Sequence, residues 1–454
     1  MTRSLRLATA SGKRPILDYG LIAIITTLLV IGVIMIFSAT YKPAVDYFDV
    51  SATHFAQKQL QWIVIGVVVM VAMALLNYRV LERVAVPLLA IVLVLLITVL
   101  VFGQRLFGST RAFFDGSVQP SEIAKLVMVV YSAAWLSSKG SKIKLMWYGL
   151  APFGVLLGIV AGLIIIEPNL STAVLIVATA ITMFFMAGAT LKQVLLCGLI
   201  AVVTFAVLVT QSSYGRVRWQ QVASSVGDPT QVENDQIKAI GEALTTGGLF
   251  GRGIGSGTTK ERIPLLWSDA IISVIGEELG LPGTLLVIAL FLALVFRGFR
   301  IAIRAPDDFG FLLAFGVTIW LVYQAVIHFA VATALAPPTG IPLPFISYGG
   351  SALVSSLAAV GVLMSVARSD GRGAAANARF DFGRGNGGAR LSSTGRRAGP
   401  AGSRGRSSRA VQPARSSRSR VIPRPSGPPA AGRRRTATSG RRTTAGRSGA
   451  VRRK

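Results

Sequence analysis

Apolar runs long enough to cross a bilayer, which takes roughly 20 residues of helix, recur along the first 370 residues. They fall at 19–39, 61–77, 84–103, 121–137, 147–166, 172–188, 193–210, 279–296, 311–334 and 351–367. The pattern predicts an all-α polytopic membrane protein with ten transmembrane helices, and residues 16–370 form its membrane domain. The first run is not a cleaved signal peptide, because it is too long and lacks a small-residue cleavage site. Residues 1–15 are a basic N-terminal segment.

Basic residues orient this frame. Arg3, Arg6, Lys13 and Arg14 precede the first run. Arg79 and Arg83 follow the second, Lys139, Lys142 and Lys144 the fourth, Lys192 the sixth, and Arg297, Arg300 and Arg304 the eighth. Every second connection carries these charges, so the N-terminus, these loops and the C-terminal tail are expected in the cytoplasm. Segments 41–60, 104–120, 167–171, 211–278 and 335–350 are then extracytoplasmic. The stretch 211–278, between helices seven and eight, is too polar to cross the membrane and too long for a mere connection, so a functional loop is expected.

Charge adds a second feature. The 454 residues carry 47 Lys and Arg against 19 Asp and Glu, a net +28, in a chain that is 52% hydrophobic. Its mean hydropathy is +0.60. The charge suggests a phosphate-rich partner and the hydropathy a lipid environment. Position resolves the conflict: residues 371–454 hold 22 Lys and Arg and one acidic residue, Asp381. This Arg/Gly/Ser/Pro-rich tail lacks the apolar content to offset ordering entropy and reads as disordered. It suits either anionic lipid or a solvated, topology-fixing role, and nucleic acid is not an expected partner. The single Cys197 excludes a disulfide scaffold. His54 and His328 leave little imidazole chemistry, so acid/base work falls to carboxylates.

Five stretches on the extracytoplasmic side could carry chemistry. QPSEIAKL at 119–126 opens helix four; Pro120 suits a first helical turn, Ser121 offers a capping oxygen, and Glu122 and Lys125 share a face as an ion pair or a site wall. Glu167-Pro168-Asn169 is a turn between two helices. In PLLWSDAIISVIGEELG at 264–280, Asp269, Glu277 and Glu278 lie eight or nine residues apart on a similar helical face. Asp269 there fits a partly desolvated general base or a helix cap. The stretch 337–351, with four prolines and three glycines, is irregular backbone that survives beside a membrane only if buried in protein or lining a wet cavity. Arg105, Arg111, Arg216, Arg218, Lys260 and Arg262 are cations on the disfavoured side, explained by a phosphate or pyrophosphate ligand or by ordinary loop solvation. The glycine cluster 247–255 would let backbone approach a substrate. No βαβ unit surrounds it, which excludes a dinucleotide fingerprint.

QPSEIAKL at 119–126, SDAIISVIGEELG at 268–280 and TGIPLPFISYGGS at 339–351, in that order within a ten-span frame, resemble the SEDS family, the FtsW/RodA group of bacterial cell-wall polymerases. The resemblance covers roughly 15–368. It implies a glycosyltransferase that polymerises lipid II, a disaccharide-pentapeptide on undecaprenyl pyrophosphate, outside the cytoplasmic membrane, with a class B penicillin-binding transpeptidase as partner. It also implies a catalytic aspartate at Asp269 and a divalent cation, Mg or Mn. Arg111, Glu122, Lys125, Lys260, Glu277, Ser347 and Tyr348 are the substrate-binding candidates. Leu265, Trp267, Ser268, Glu167, Asn169 and His328 depart from the family pattern. Isoleucine-glycine-glutamate-glutamate at 275–278 favours the division (FtsW) type. A lipid-linked sugar flippase and a non-catalytic scaffold are the alternatives; the carboxylates at the outer border and the lack of an internal repeat speak against a transporter.

Overall fold

The computed structural model describes residues 18–106, 109–112, 119–211, 216, 235–259, 266–333, 335–337 and 339–369. All lie in the first of the two units into which the chain divides, Met1–Phe380 and Asp381–Lys454. The basic segment 1–15, the tail 371–454 and Lys260 lie outside the described residues.

Helix α1 (Tyr19–Asp46) begins where Asp18 Oδ1 accepts the Leu21 amide, satisfying an otherwise unpaired N–H of the first turn. α2 (His54–Leu75) leads to α3 (Tyr78–Phe102), whose cap Asn77 accepts from Arg79 N. A short antiparallel hairpin follows, β1 (Gln104–Leu106) with β2 (Ser109–Ala112). Its pairing steps from Gln104–Ala112 to Arg105–Thr110, which leaves Arg111 as the extra residue of a bulge. α4 (Pro120–Lys139) has proline in its first turn, where no amide hydrogen is needed. A 3₁₀ turn and a π turn then connect to α5 (Ala151–Ile166), α6 (Leu170–Met186) and α7 (Leu191–Gln211). Beyond them come α8 (Asp235–Gly247), the single turn α9 (Leu266–Asp269), α10 (Ile271–Ile303), α11 (Asp308–Ala332) and α12 (Gly350–Ser369).

Ten of these helices coincide with the ten apolar runs, and the fold is that of a polytopic helical membrane protein. Among the described residues eight helices are long and apolar enough to cross a membrane. The other two are α6, with 17 residues, and α4, which carries Glu122, Lys125 and Lys139. Boundaries differ where tertiary contacts continue a helix through polar sequence. α1 runs on to Asp46 because Thr40, Pro43 and Ala44 are buried, and α2 begins at His54.

α11 and α12 sit inside the bundle, whereas α2 and α7 present most of their apolar surface outward, as lipid-facing helices do. Small residues let backbones approach. A Cβ at Gly361 of α12 would overlap the Met70 carbonyl of α2, and Gly66 of α2 abuts Leu357. One end of the bundle is tied by Arg297 to Asp18 (3.3 Å) and by Arg79 to Asp307 (2.9 Å). There, too, the Tyr78 hydroxyl donates to Asp307 at 2.7 Å. The chemically unusual residues collect at the other end.

Candidate functional site

The stretch after α11 runs back into the bundle as irregular backbone. Ile341, Leu343, Phe345, Ile346 and Ser347 are buried. Gly32, midway along α1, is where this segment passes: a Cβ there would lie 2.8 Å from Phe345 O and 2.9 Å from Ile346 Cα. Non-helical backbone at membrane depth is thus enclosed by protein, the condition that makes it tolerable. Its polar groups find partners on three sides. Leu343 N donates to Ser347 Oγ (2.9 Å), Tyr348 N to Trp267 O (3.1 Å), and Gln324 Nε2 of α11 to Pro342 O (2.8 Å). His328, one turn further along α11, donates from Nδ1 to Ile341 O at 3.0 Å.

Beneath the segment lies a buried charge pair. Lys125 Nζ is 2.6 Å from Glu122 Oε2, with both side chains almost wholly enclosed. The ammonium also donates to Gln324 Oε1 (3.1 Å), which accepts a second bond from Trp320 Nε1 (3.0 Å). With its oxygen taken twice, the Gln324 amide must turn its NH₂ toward Pro342. The chain Glu122–Lys125–Gln324 therefore ends on the irregular segment. Ser121 does not cap α4, whose cap Gln119 makes no side-chain bond. Instead Ser121 Oγ accepts from Asn169 Nδ2 at 3.2 Å, while Asn169 Oδ1 caps α6 through Thr172 N.

Asp269 closes the single turn α9. Its Oδ2 is 3.7 Å from where a Cβ would stand on Gly340, a residue with φ of +67°. Trp267 holds α9 in place: it is buried against Phe48 and Phe55, with centroids at 6.1 and 5.6 Å, and Phe55 in turn meets Tyr348 edge-on at 5.6 Å. An indole in this position supplies apolar area to both neighbours. Burial raises the Tyr348 phenol pKa above its ordinary value.

The common helical face expected for Asp269, Glu277 and Glu278 does not exist. Ala270 (φ −143°, ψ 36°) breaks the chain between α9 and α10, so spacing along one helix does not apply. Glu277 and Glu278 are buried within α10 and engaged by the chain itself. Glu277 accepts from Thr258 N (2.8 Å) and Thr259 N (3.3 Å), with Arg252 at 3.7 Å. Glu278 accepts from Ser38 Oγ of α1 at 2.6 Å. The glycine cluster likewise serves the chain rather than an open cleft: Arg252 N and Gly253 N donate to the Glu277 and Glu278 carbonyls. Among the described residues no three His, Cys, Asp or Glu side chains converge. With the Glu277–Glu278 pair already hydrogen-bonded, these residues do not form a ready cation site.

The structure thus brings Glu122, Lys125, Ser347, Tyr348 and Asp269 to one irregular segment and gives Glu277 a separate role in holding 257–259. Arg111 lies on β2. Gln324, Trp320 and Phe55 were not singled out from the sequence. The first two could have been: Trp320, Gln324 and His328 recur every four residues in an otherwise apolar helix. A half-buried carboxylate beside a glycine-turned segment, itself fixed from below by a buried cation, can take a proton from a hydroxyl at the mouth of the bundle.

A family model described as the FtsW/RodA/SpoVE cell cycle proteins matches residues 19–371. A relative from Trichlorobacter lovleyi, named probable peptidoglycan glycosyltransferase FtsW, is 36% identical over 354 residues, covering 77% of this chain and 92% of its own length. Stage V sporulation protein E of Bacillus subtilis is 36% identical over 359 residues, 77% of this chain and 97% of its own. A solved structure described as the structural coordination of polymerization and crosslinking by a peptidoglycan synthase complex matches with a TM-score of 0.64 at 28% identity, covering 78% of this chain and 98% of that one. The rod shape determining protein RodA of Thermus thermophilus matches with a TM-score of 0.58 at 25% identity, covering 78% and 97%.

Proposed function

The chain belongs to the FtsW/RodA/SpoVE family of cell cycle proteins, and from that premise we propose that it is a peptidoglycan glycosyltransferase polymerising lipid II. The observation that carries the reading is Asp269 beside Gly340, at the meeting of two segments the sequence had marked separately. Asp269 is the general base: it takes the proton of the acceptor sugar hydroxyl as that oxygen attacks the donor's anomeric carbon. The carbon–oxygen bond to undecaprenyl pyrophosphate breaks, and its electron pair leaves with the pyrophosphate. Arg111 and Lys260 are the proposed cations for that leaving group. Lys125 and Glu122 act through Gln324 on the backbone of 341–342, Ser347 and Tyr348 shape the same segment, and Glu277 steadies 257–259. No step is assigned to a divalent cation.

In this reading all ten long helices cross the bacterial cytoplasmic membrane, with the site end outside and both termini in the cytoplasm, as the basic connections suggest. A crosslinking transpeptidase of the class B penicillin-binding type is the partner, supported by the synthase-complex match. The 36% relatives named FtsW favour division over elongation.

The test is polymerisation of labelled lipid II by the purified protein with its cognate transpeptidase. Asp269→Asn and Asp269→Ala are expected to lower polymer formation by about 10²–10⁴-fold, the range of general-base catalysis. Equal polymer from Asp269→Asn would sink the assignment. Scrambling of lipid II between leaflets without polymer would support the transport reading instead.

A further inference from the structure

The loop after α8 presents apolar side chains where a water-soluble loop would not. Phe250 is 89% exposed, Leu249 65% and Ile254 59%. Yet the backbone that carries them is firmly held. Gly251 N bonds Gly247 O (2.8 Å), Arg252 N bonds Glu277 O (3.0 Å), Gly253 N bonds Glu278 O (2.9 Å) and Leu281 N bonds Gly248 O (3.2 Å). Gly251 and Gly280, with φ of 73° and 66°, lie back to back, so the loop tip and the kink of α10 form one unit.

Two measures give its depth. From Arg297, which pairs with Asp18 at the tied end, up to Leu281 the second part of α10 rises roughly 24 Å of a hydrocarbon core about 30 Å thick. Leu281 therefore stands within about one turn of the outer boundary. From Tyr19 to Ser38, which bonds Glu278 beside the kink, α1 rises roughly 30 Å and ends at the same level. The exposed Leu281, Leu285 and Leu286 form the lipid-facing strip of α10 just below the tip, and the Leu281–Gly248 bond joins the two surfaces.

We propose that residues 248–254 are a monolayer anchor, with Leu249, Phe250 and Ile254 dipping into the acyl-chain boundary of the leaflet at the site end. Arg252, half-exposed in the same turn, sits at the level of the phosphates. Such an element lies at the interface rather than spanning it. Because its backbone is bonded to α10 between Glu277 and Leu281, the anchor sets the height of the helix that follows Asp269 relative to the lipid surface.

The test uses the full chain in nanodiscs, with Cys197→Ser as background and a nitroxide on Phe250→Cys. Collision with oxygen and with a water-soluble nickel chelate is compared with a lipid reference, Leu285→Cys, and an aqueous one, Asp49→Cys, at an exposed turn. The expected result is an oxygen-to-chelate ratio at 250 that follows the Leu285 reference, with labels at Leu249→Cys and Ile254→Cys shifted the same way. A ratio matching Asp49 would overturn the proposal. So would a label shielded from both reagents, which would assign the tip to a protein contact.

Discussion

Lys125 concentrates the competition between structure and chemistry at the level of single residues. Its charge is enclosed, and what makes that tolerable is Glu122 at 2.6 Å together with the Gln324 oxygen. Removing one partner of a buried pair costs about 3–5 kcal/mol, whereas replacing both by neutral groups can be close to neutral. Lys125→Met is therefore expected to lower the unfolding midpoint in detergent sharply, and Lys125→Met/Glu122→Gln to recover most of it. If the pair only stabilises the bundle, polymerisation recovers as well. The path through Gln324 predicts that it stays low. Gln324→Leu removes the acceptor of two donors and the donor to Pro342, and buried polar groups left unpaired cost about 1–3 kcal/mol each. Gln324→Glu keeps the acceptor but faces the Pro342 carbonyl with oxygen, so it should hold stability better than activity; thermal unfolding and polymer yield on the same preparations decide this. Glu122 and Lys125 were legible from their three-residue spacing and apolar surroundings. Gln324 was not, because one neutral amide in an apolar helix gives no signal until its neighbours at four-residue spacing are read with it.

Among the elements, helices and irregular segments were legible to different degrees. Apolar runs located all ten long helices, since a lipid-facing or buried helix has to be apolar for much of its length. The break at Ala270 was not readable: neither glycine nor proline marks it, and it is the aromatic packing of Trp267 and the bond from Tyr348 N that hold α9 apart from α10. The prolines and glycines of 337–351 mark it as irregular backbone, either buried in protein or lining a wet cavity, but do not tell how deeply it reaches along α1. That depth gives a prediction. Gly32→Ala puts a methyl against backbone atoms of Phe345 and Ile346 that no rotamer change can move aside. Overpacking of this kind costs about 1–3 kcal/mol, and here it should displace the segment that carries Gly340. Gly340→Ala strains the chain by about 1–2 kcal/mol, because φ is positive there. Its methyl would also stand 3.7 Å from Asp269 Oδ2. Both variants should lose polymerisation out of proportion to their loss of unfolding midpoint; an equal loss would mean that the segment only packs the bundle.

On the scale of the whole molecule, most of the charge and the candidate chemistry fall in different parts of the sequence. The family match ends at residue 371, where the basic tail begins, and that tail holds 22 of the 47 Lys and Arg. Every contact described around Asp269 is made by residues before that point. The last turns of α12 bond to Leu75 and Tyr78, at the end of the bundle tied by Arg297–Asp18 and Arg79–Asp307. Removing 371–454 should therefore leave polymer yield in detergent unchanged. What it should remove is electrostatic capture: a basic residue near an anionic leaflet is worth about 1 kcal/mol, and the attraction fades within a Debye length. Nanodiscs carrying the full chain are expected to float with added phosphatidylglycerol vesicles at low salt and to release them at high salt. Nanodiscs carrying the truncated chain should not float with them at either. Salt-resistant flotation of the full chain would point to a contact other than charge. A fall in polymer yield on truncation would mean that the tail contributes to polymerisation itself.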